Sequence, residues 1–310
     1  MGPGGSPSVV FVGGYARTGS TLLDRLLGQA DGFASFGELR HVWERNFRGN
    51  QLCGCGQPFR ECPFWDEVVR VAFGGWDGVD PAAVGRDKRR VDSVRNIPRN
   101  LTGGWTAGYR ATLGRYLEAV GALYRAMASV SGARFLVDST KDPQHLYVLR
   151  LAGIDVRVAH LVRDSRAVAF SWRRVRRRPE ITWRVQDMPR FPIVRSAMAW
   201  NVANLAAEAS RLAGMPYAFI RYEDLVRDAR GELARLAREL RLGEVDLSFV
   251  RNGTATLGRA HTVAGNPMRF AEGTIELRPD TEWATAMHGG QRAVVTGLTA
   301  PLLAHYGYRR

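Results

Sequence analysis

The stretch SVVFVGGYARTGSTLL, residues 8–23, limits what this chain can fold into more than any other part of it. Val9, Val10, Phe11 and Val12 form a β-branched and aromatic run suited to a parallel strand covered on both faces. Leu22, Leu23, Leu26 and Leu27 then recur at helical spacing. The glycine turn between them leaves backbone N–H groups at the positive end of a helix dipole. It either makes an ordinary tight connection or cradles an anion such as phosphate or sulfate.

Residues 14–21 have the frame of the phosphate-loop pattern GxxxxGK[ST], but Ser20 stands at the lysine position and Arg17, three residues earlier, is the nearest cation. A kinase or NTPase uses that lysine on the β and γ phosphates, so its loss argues against metal-dependent phosphoryl transfer. Downstream, strand-like runs at 33–36, 134–137, 156–162 and 217–221 alternate with helical spacing at 108–130, 144–151, 163–174 and 193–212. This order predicts an α/β fold of three layers, a central parallel sheet flanked by helices, with ligands beyond the carboxyl ends of the strands. The chain reads as a single domain over 1–310. A mostly helical or irregular insertion falls at roughly 49–130, peripheral helices at 231–241 and 281–305, and a loop at roughly 255–272.

The net charge of +14 admits a nucleic-acid partner, yet 42 of the 44 basic residues are arginine, which points to a GC-rich coding sequence. The charge suits a small polyanionic substrate equally well. The densest run, Arg173, Arg174, Arg176, Arg177 and Arg178, reads as a solvated helix end. No apolar run reaches the length of a membrane span, and residues 1–8 lack the pattern of a secretory signal, so a cytoplasmic protein is expected. The match of residues 1–6 to the myristoylation pattern MGxxxS is read as chance, because Pro3 follows the acceptor glycine. Cys53, Cys55 and Cys62 lie within ten residues. They read as free thiols, with a local disulfide as an alternative, because zinc needs a fourth ligand and usually CxxC spacing.

Every candidate strand is followed by polar residues: YARTGST, GELR, DSTKDP, LVRDSRAVAFS and RYEDL. On one edge of a parallel sheet these bring Arg17, Glu38, Arg40, Lys141, Arg163 and Ser171 together, an array of cations around a single carboxylate. Such an array suits a highly charged nucleotide, with Glu38 left to take a proton. Lys141 is one of only two lysines in the chain.

In order and spacing these motifs resemble the sulfotransferases that use 3'-phosphoadenosine 5'-phosphosulfate (PAPS). RTGSTLL resembles the family's 5'-phosphosulfate loop, and LVRDSRAVAFS its 3'-phosphate motif. GELR and KDP resemble the glutamate and lysine motifs of the protein-tyrosine branch, and the CPFW cluster is similar to that of many bacterial members. The resemblance implies that Arg17, Thr18, Gly19, Ser20 and Thr21 hold the 5'-phosphosulfate and that Arg163 and Ser171 hold the 3'-phosphate. Glu38 is implied as general base, with Lys141 and Arg17 as catalytic cations, and Tyr222 and Arg269 as further cofactor contacts. Arg40 and His261 fall with the acceptor. One 3'-phosphate arginine of the tyrosine branch falls on Val175, leaving Arg174 or Arg176 to replace it.

The implied reaction moves a sulfuryl group from PAPS, without a metal, to a hydroxyl of a small-molecule acceptor. A P-loop kinase using Asp138 for Mg²⁺ and a basic nucleic-acid-binding protein are the alternatives. Under the sulfotransferase reading no nucleic acid and no membrane span is involved, and homo-oligomerisation is open. The acceptor pocket is expected from residues 49–110, a helix at 178–200 and the C-terminal loop. Trp65, Trp105, Trp172, Trp183 and Phe191 either line that pocket or pack in the core.

Overall fold

The structure, a computed structural model, describes residues 7–308; the MGxxxS match lies outside the described residues. The opening stretch forms strand β1 (Ser8–Gly14) and helix α1 (Ser20–Leu27), followed by the short β2 (Phe33–Ser35). A helical lobe comes next, made of α2 (Pro63–Phe73), α3 (Pro81–Val91), α4 (Ile97–Thr102) and the long α5 (Ala107–Ser131). The chain returns to the sheet in β3 (Phe135–Lys141), crosses α6 (Pro143–Leu151) to β4 (Asp155–Val162), and passes through α7 (Ser165–Ser171) and α8 (Ile193–Glu208) to β5 (Tyr217–Arg221).

All five strands are parallel in the order β2-β3-β1-β4-β5. Helices lie on both faces, and each face closes its own core. Val9 and Phe11 point to the side of α5, α6 and the helical lobe, while Val10 and Val12 point to the side of α1. This alternation explains why β1 carries no polar residue between Val9 and Val12: both faces are dry. The expected α/β architecture is therefore the observed one. β3 continues beyond the expected RFLV through Asp138, Ser139, Thr140 and Lys141, because its polar side chains are bonded internally.

Two parts differ from expectation. Residues 178–192 are largely irregular, and helix begins only at Ile193, after Pro192. The 255–272 region is not simply a loop. β6 (Val250–Arg251), β7 (Thr254–Leu257) and β8 (Gly273–Glu276) form a small antiparallel sheet too short to leave a clear alternation in sequence. The chain ends in α9 (Tyr222–Arg227), α10 (Ala229–Glu239), α11 (Trp283–Ala286) and α12 (Gly289–His305), of which α9 and α10 precede the small sheet.

Asp24 of α1 ties the helix to the end of β2. Its buried carboxylate accepts from Ser35 Oγ at 2.6 Å and from the Gly37 N–H at 3.4 Å. Burial dominates over these bonds and pushes its pKa up to about 7. The folded state then keeps a proton that the unfolded chain releases near its ordinary value of 3.8. This contribution to stability falls as pH rises between those values and is level above them. Asp24→Asn keeps an acceptor for Ser35 and is expected to flatten the pH dependence of urea unfolding over that window. An unchanged slope would assign it to other groups.

Candidate active site

A cleft of about 370 Å³ opens at the carboxyl ends of the parallel strands. One wall is the turn after β1. Arg17 (φ 72°) and Gly19 (φ 92°) both take left-handed backbone there, at a cost of order 1–3 kcal/mol for the arginine. Gly19 is required sterically as well, since a Cβ would sit 2.5 Å from Cδ2 of the Tyr222 ring. The N–H groups of Leu22 and Leu23 return to the Gly19 carbonyl, and no side chain caps α1. Ser20 and Thr21 line the cleft, so the first turn of α1 faces it with its dipole uncompensated. Thr18 is turned inward, its hydroxyl donating to the Tyr15 carbonyl at 2.8 Å.

Arg17 lines the same wall, its guanidinium 4.7 Å above the Trp172 ring and within 3.1 Å of the Met188 sulfur. Burial, reinforced by Arg176, lowers its pKa to about 10, which still leaves it charged at neutral pH.

Glu38 and Lys141 meet at the centre of the cleft. Lys141 Nζ donates to Glu38 Oε1 at 2.6 Å and to the Ser139 carbonyl at 2.8 Å. Local backbone irregularities aim both side chains. In the β1–β3 ladder Phe11 faces Asp138 but Gly13 faces Lys141, so β3 carries an extra residue, and Lys141 itself has φ 71°. Glu38 follows Gly37 (φ 76°) and is held by its N–H donating to the Val263 carbonyl at 2.9 Å. Burial alone would raise the Glu38 pKa. Lys141, His41 and Arg45 outweigh it and hold the carboxyl down at about 2.

Arg163, at the end of β4, defines the other end of the cleft. It lies 4.6 Å from the Tyr222 ring centroid and donates to Asp280, with Nη2 3.1 Å from both the carbonyl and a carboxylate oxygen. Ser171, at the last turn of α7, lines the same region. Arg176 lines it as well, from the loop after α7, and Val175 is exposed instead. The Nε atoms of Arg163 and Arg176 are buried with no hydrogen-bond partner among the described residues. The cations Arg17, Arg45, Lys141, Arg163, Arg176 and Arg178 outnumber the carboxylates Glu38, Asp142 and Asp280 around the cavity. Such a cleft is built to neutralise an anion with several charges.

Besides Thr18, three expected site residues stand outside the cleft lining. Arg40 is not in the cleft wall: its guanidinium is spent on Asp92 at 3.0 Å and Asp142 at 2.9 Å, while its N–H donates to Thr140 Oγ1 beside Lys141. Arg269 is 1 % exposed and donates to the Thr262 and Leu52 carbonyls, both at 2.7 Å. His261 turns its imidazole away from the cleft to Cys53 and Cys62, supplying a fourth donor that local spacing could not reveal.

The arginine run is not a helix end, since α7 has stopped before it: Arg176 and Arg178 line the cleft, Arg174 pairs with Asp280 and Glu282, and Arg173 and Arg177 are solvated. Residues 49–110 contribute nothing to this lining. Besides the strand-end residues, the lining comes from residues 38–45, 171–189 and 265–268. Of the aromatic candidates Trp172 lines the cleft with Phe191 packed on it, Trp65 is core, and Trp183 is exposed. His41, Arg45, Met188 and Asp280 were missed: His41 and Arg45 follow the GELR motif and reach the cleft from just beyond it, whereas Met188 and Asp280 reach it from segments without a motif.

No protein-family model and no curated protein sequence matches the chain. Among solved structures it is similar to a sulfotransferase domain from the curacin biosynthetic pathway, with TM-score 0.53 and 15% identity over 98% of each chain. Sulfotransferase STF9 from Mycobacterium avium aligns with TM-score 0.46 and 12% identity, over 98% of this chain and 78% of that one. On the first of these two likenesses the chain has a sulfotransferase-like fold.

Removing the lysine tests the electrostatics of the central pair directly. In Lys141→Met the strongest opposing charge is gone while burial remains, so the Glu38 carboxyl should titrate well above about 2. Carboxyl NMR of the two proteins checks this, and an unmoved Glu38 would show that the pair is not formed in solution.

Proposed function

We propose that the protein is a PAPS-dependent sulfotransferase that transfers the sulfuryl group to an acceptor hydroxyl. The observation that carries this reading is the half-buried Glu38–Lys141 pair, set in one cleft between a lysine-free phosphate loop and Arg163. The residues fit a nucleotide with anionic groups at both ends. The uncapped turn of α1 with Arg17 suits the 5'-phosphosulfate, and Arg163, Ser171 and Arg176 suit the 3'-phosphate, with two buried Nε–H donors still to be satisfied. Tyr222 supports both regions, lying under Gly19 and against Arg163.

Glu38 and Lys141 divide the chemistry. A carboxylate held at about 2 is a poor base, so Glu38 is kept ionised but idle while Lys141 pairs with it. Lys141, drawn to the oxygen that bridges phosphorus and sulfur in the bound donor, stabilises the charge left there. It thereby releases Glu38, whose burial raises its basicity at the moment of need. Glu38 then takes the hydroxyl proton as the acceptor oxygen bonds to sulfur and the bond from sulfur to the bridging oxygen breaks. His41, Arg45 and Met188 line the same cleft and are assigned to the acceptor, which we take to be a small molecule.

The kinase reading loses its metal ligand, because Asp138 is fully buried and accepts from Tyr124 and Thr140 rather than facing the cleft. Adenosine 3',5'-bisphosphate without added metal is expected to raise Tm, and ATP with Mg²⁺ to have little effect. The reverse pattern would overturn the proposal. Glu38→Gln should keep that nucleotide protection and lose about 10²–10⁴-fold in kcat. Full turnover by this variant in a PAPS-dependent assay would remove Glu38 as the base.

A further inference from the structure

The three cysteines and His261 converge although they come from segments some 200 residues apart in sequence. Their four donor atoms all lie within 4.8 Å of one another. Cys62 Sγ is 3.3 Å and Cys53 Sγ 3.7 Å from His261 Nδ1, and Cys55 Sγ is 3.6 Å from Cys62 Sγ. Tetrahedral zinc, with bonds of about 2.3 Å to sulfur and about 2.0 Å to nitrogen, sets sulfur–sulfur edges of about 3.8 Å and sulfur–nitrogen edges of about 3.5 Å. The three close edges, of 3.3, 3.7 and 3.6 Å, agree to within a few tenths of an ångström, and the other three, all within 4.8 Å, need only a small inward movement of the side chains. A disulfide bond of about 2.05 Å is far shorter than the sulfur separation here, and it would leave the third thiol and the imidazole unexplained.

The donors are held by contacts of their own. Cys53 to Gln57 form a closed turn, with the Cys53 N–H donating to the Gln57 carbonyl at 2.8 Å and the Gly56 N–H to the Cys53 carbonyl at 2.9 Å. Gly54 lets this turn press on the other segment. Its N–H donates to the Thr262 carbonyl at 2.8 Å, and a Cβ there would sit 2.6 Å from the Ala260 carbonyl oxygen. The His261 ring stacks on Phe64 at 4.6 Å and 13°, and Trp65 Nε1 donates to the His261 carbonyl at 3.0 Å. Arg269 bridges the carbonyls of Leu52 and Thr262, the neighbours of Cys53 and His261. None of the four donors lines the catalytic cleft, and Cys53 and Cys62 are fully buried, so a nucleophilic thiol is a poor account of them.

We infer that Cys53, Cys55, Cys62 and His261 form a structural zinc site that fastens the insertion to the segment carrying Val263. Three sulfur ligands and one imidazole fill the tetrahedron without an open position, which suits a structural role and selects zinc over oxygen-seeking cations. Binding occurs with the thiols deprotonated, their protons passing to solvent. The consequence reaches the cleft, because Val263 pairs with Phe36 and Glu38 through two backbone hydrogen bonds of 2.8 and 2.9 Å.

The full chain, produced with zinc in the medium and purified without chelators, should contain one zinc per chain by elemental mass spectrometry. Exchange into cobalt should give sulfur-to-cobalt charge-transfer bands and the intense d–d bands of a tetrahedral site. Cys62→Ser and His261→Ala should lose the metal, whereas His261→Cys, which keeps four ligands, should retain it. Chelation should lower Tm, with recovery on adding zinc and none on adding magnesium. Metal-free protein that takes up no cobalt, a Cys55–Cys62 disulfide in the native chain by mass, or iron in place of zinc would each overturn the assignment.

Discussion

Strand β1 has no free edge. It pairs with β4 along its whole length and with β3 from Ser8 to Gly13, with one irregularity after Phe11, and both of its faces are buried. Every backbone group of the strand must therefore find its partner in those two neighbours, and the parallel register sets all three carboxyl ends at one level. The phosphate-type loop, Lys141 and Arg163 share a cleft because each leaves its strand at that level. The chain reaches the switch point of the sheet three times, and the polar residues after each strand have nowhere else to go.

Within that frame the site depends on controlled irregularity. A regular β3 would send Lys141 to a different side; the extra residue between Asp138 and Lys141, with the left-handed backbone at Lys141, turns it onto Glu38. Beneath the pair lies a polar network in which Arg40, Asp92, His145, Asp138 and Tyr124 satisfy one another in the dry core next to α5. Buried groups of this kind are tolerable only when each finds a partner, and this network keeps Thr140 and the end of β3 in place. Arg40 so acts behind the cleft and not in it.

Sequence was most informative where one local rule governed a segment. The apolar run before Gly13, the leucines after Ser20 and the helical spacing in α5 each reflect a period that a single element imposes. The polar strand ends were legible for the same reason, and Arg17, Glu38, Lys141, Arg163, Ser171 and Tyr222 do share one cleft. Arg269 and His261 were not, because an arginine that braces two carbonyls and one that faces a ligand look alike in a sequence. Asp280 and Met188 carry no local signature at all, since only the folding back of the chain brings them to Arg163 and Arg17.

The sequence by itself determined the strand, turn and helix order, the parallel α/β class and the set of charged groups at the strand ends. These follow from hydrophobic period and turn chemistry, which act over a few residues. The tertiary structure decided which of those groups meet: that Lys141 neutralises Glu38, that Arg176 and Arg178 of the arginine run join the cleft wall, and that His261 completes a cluster with three distant cysteines. Those pairings turn on ångström distances between segments far apart in the chain, and such distances exist only once the sheet register and the two cores have closed.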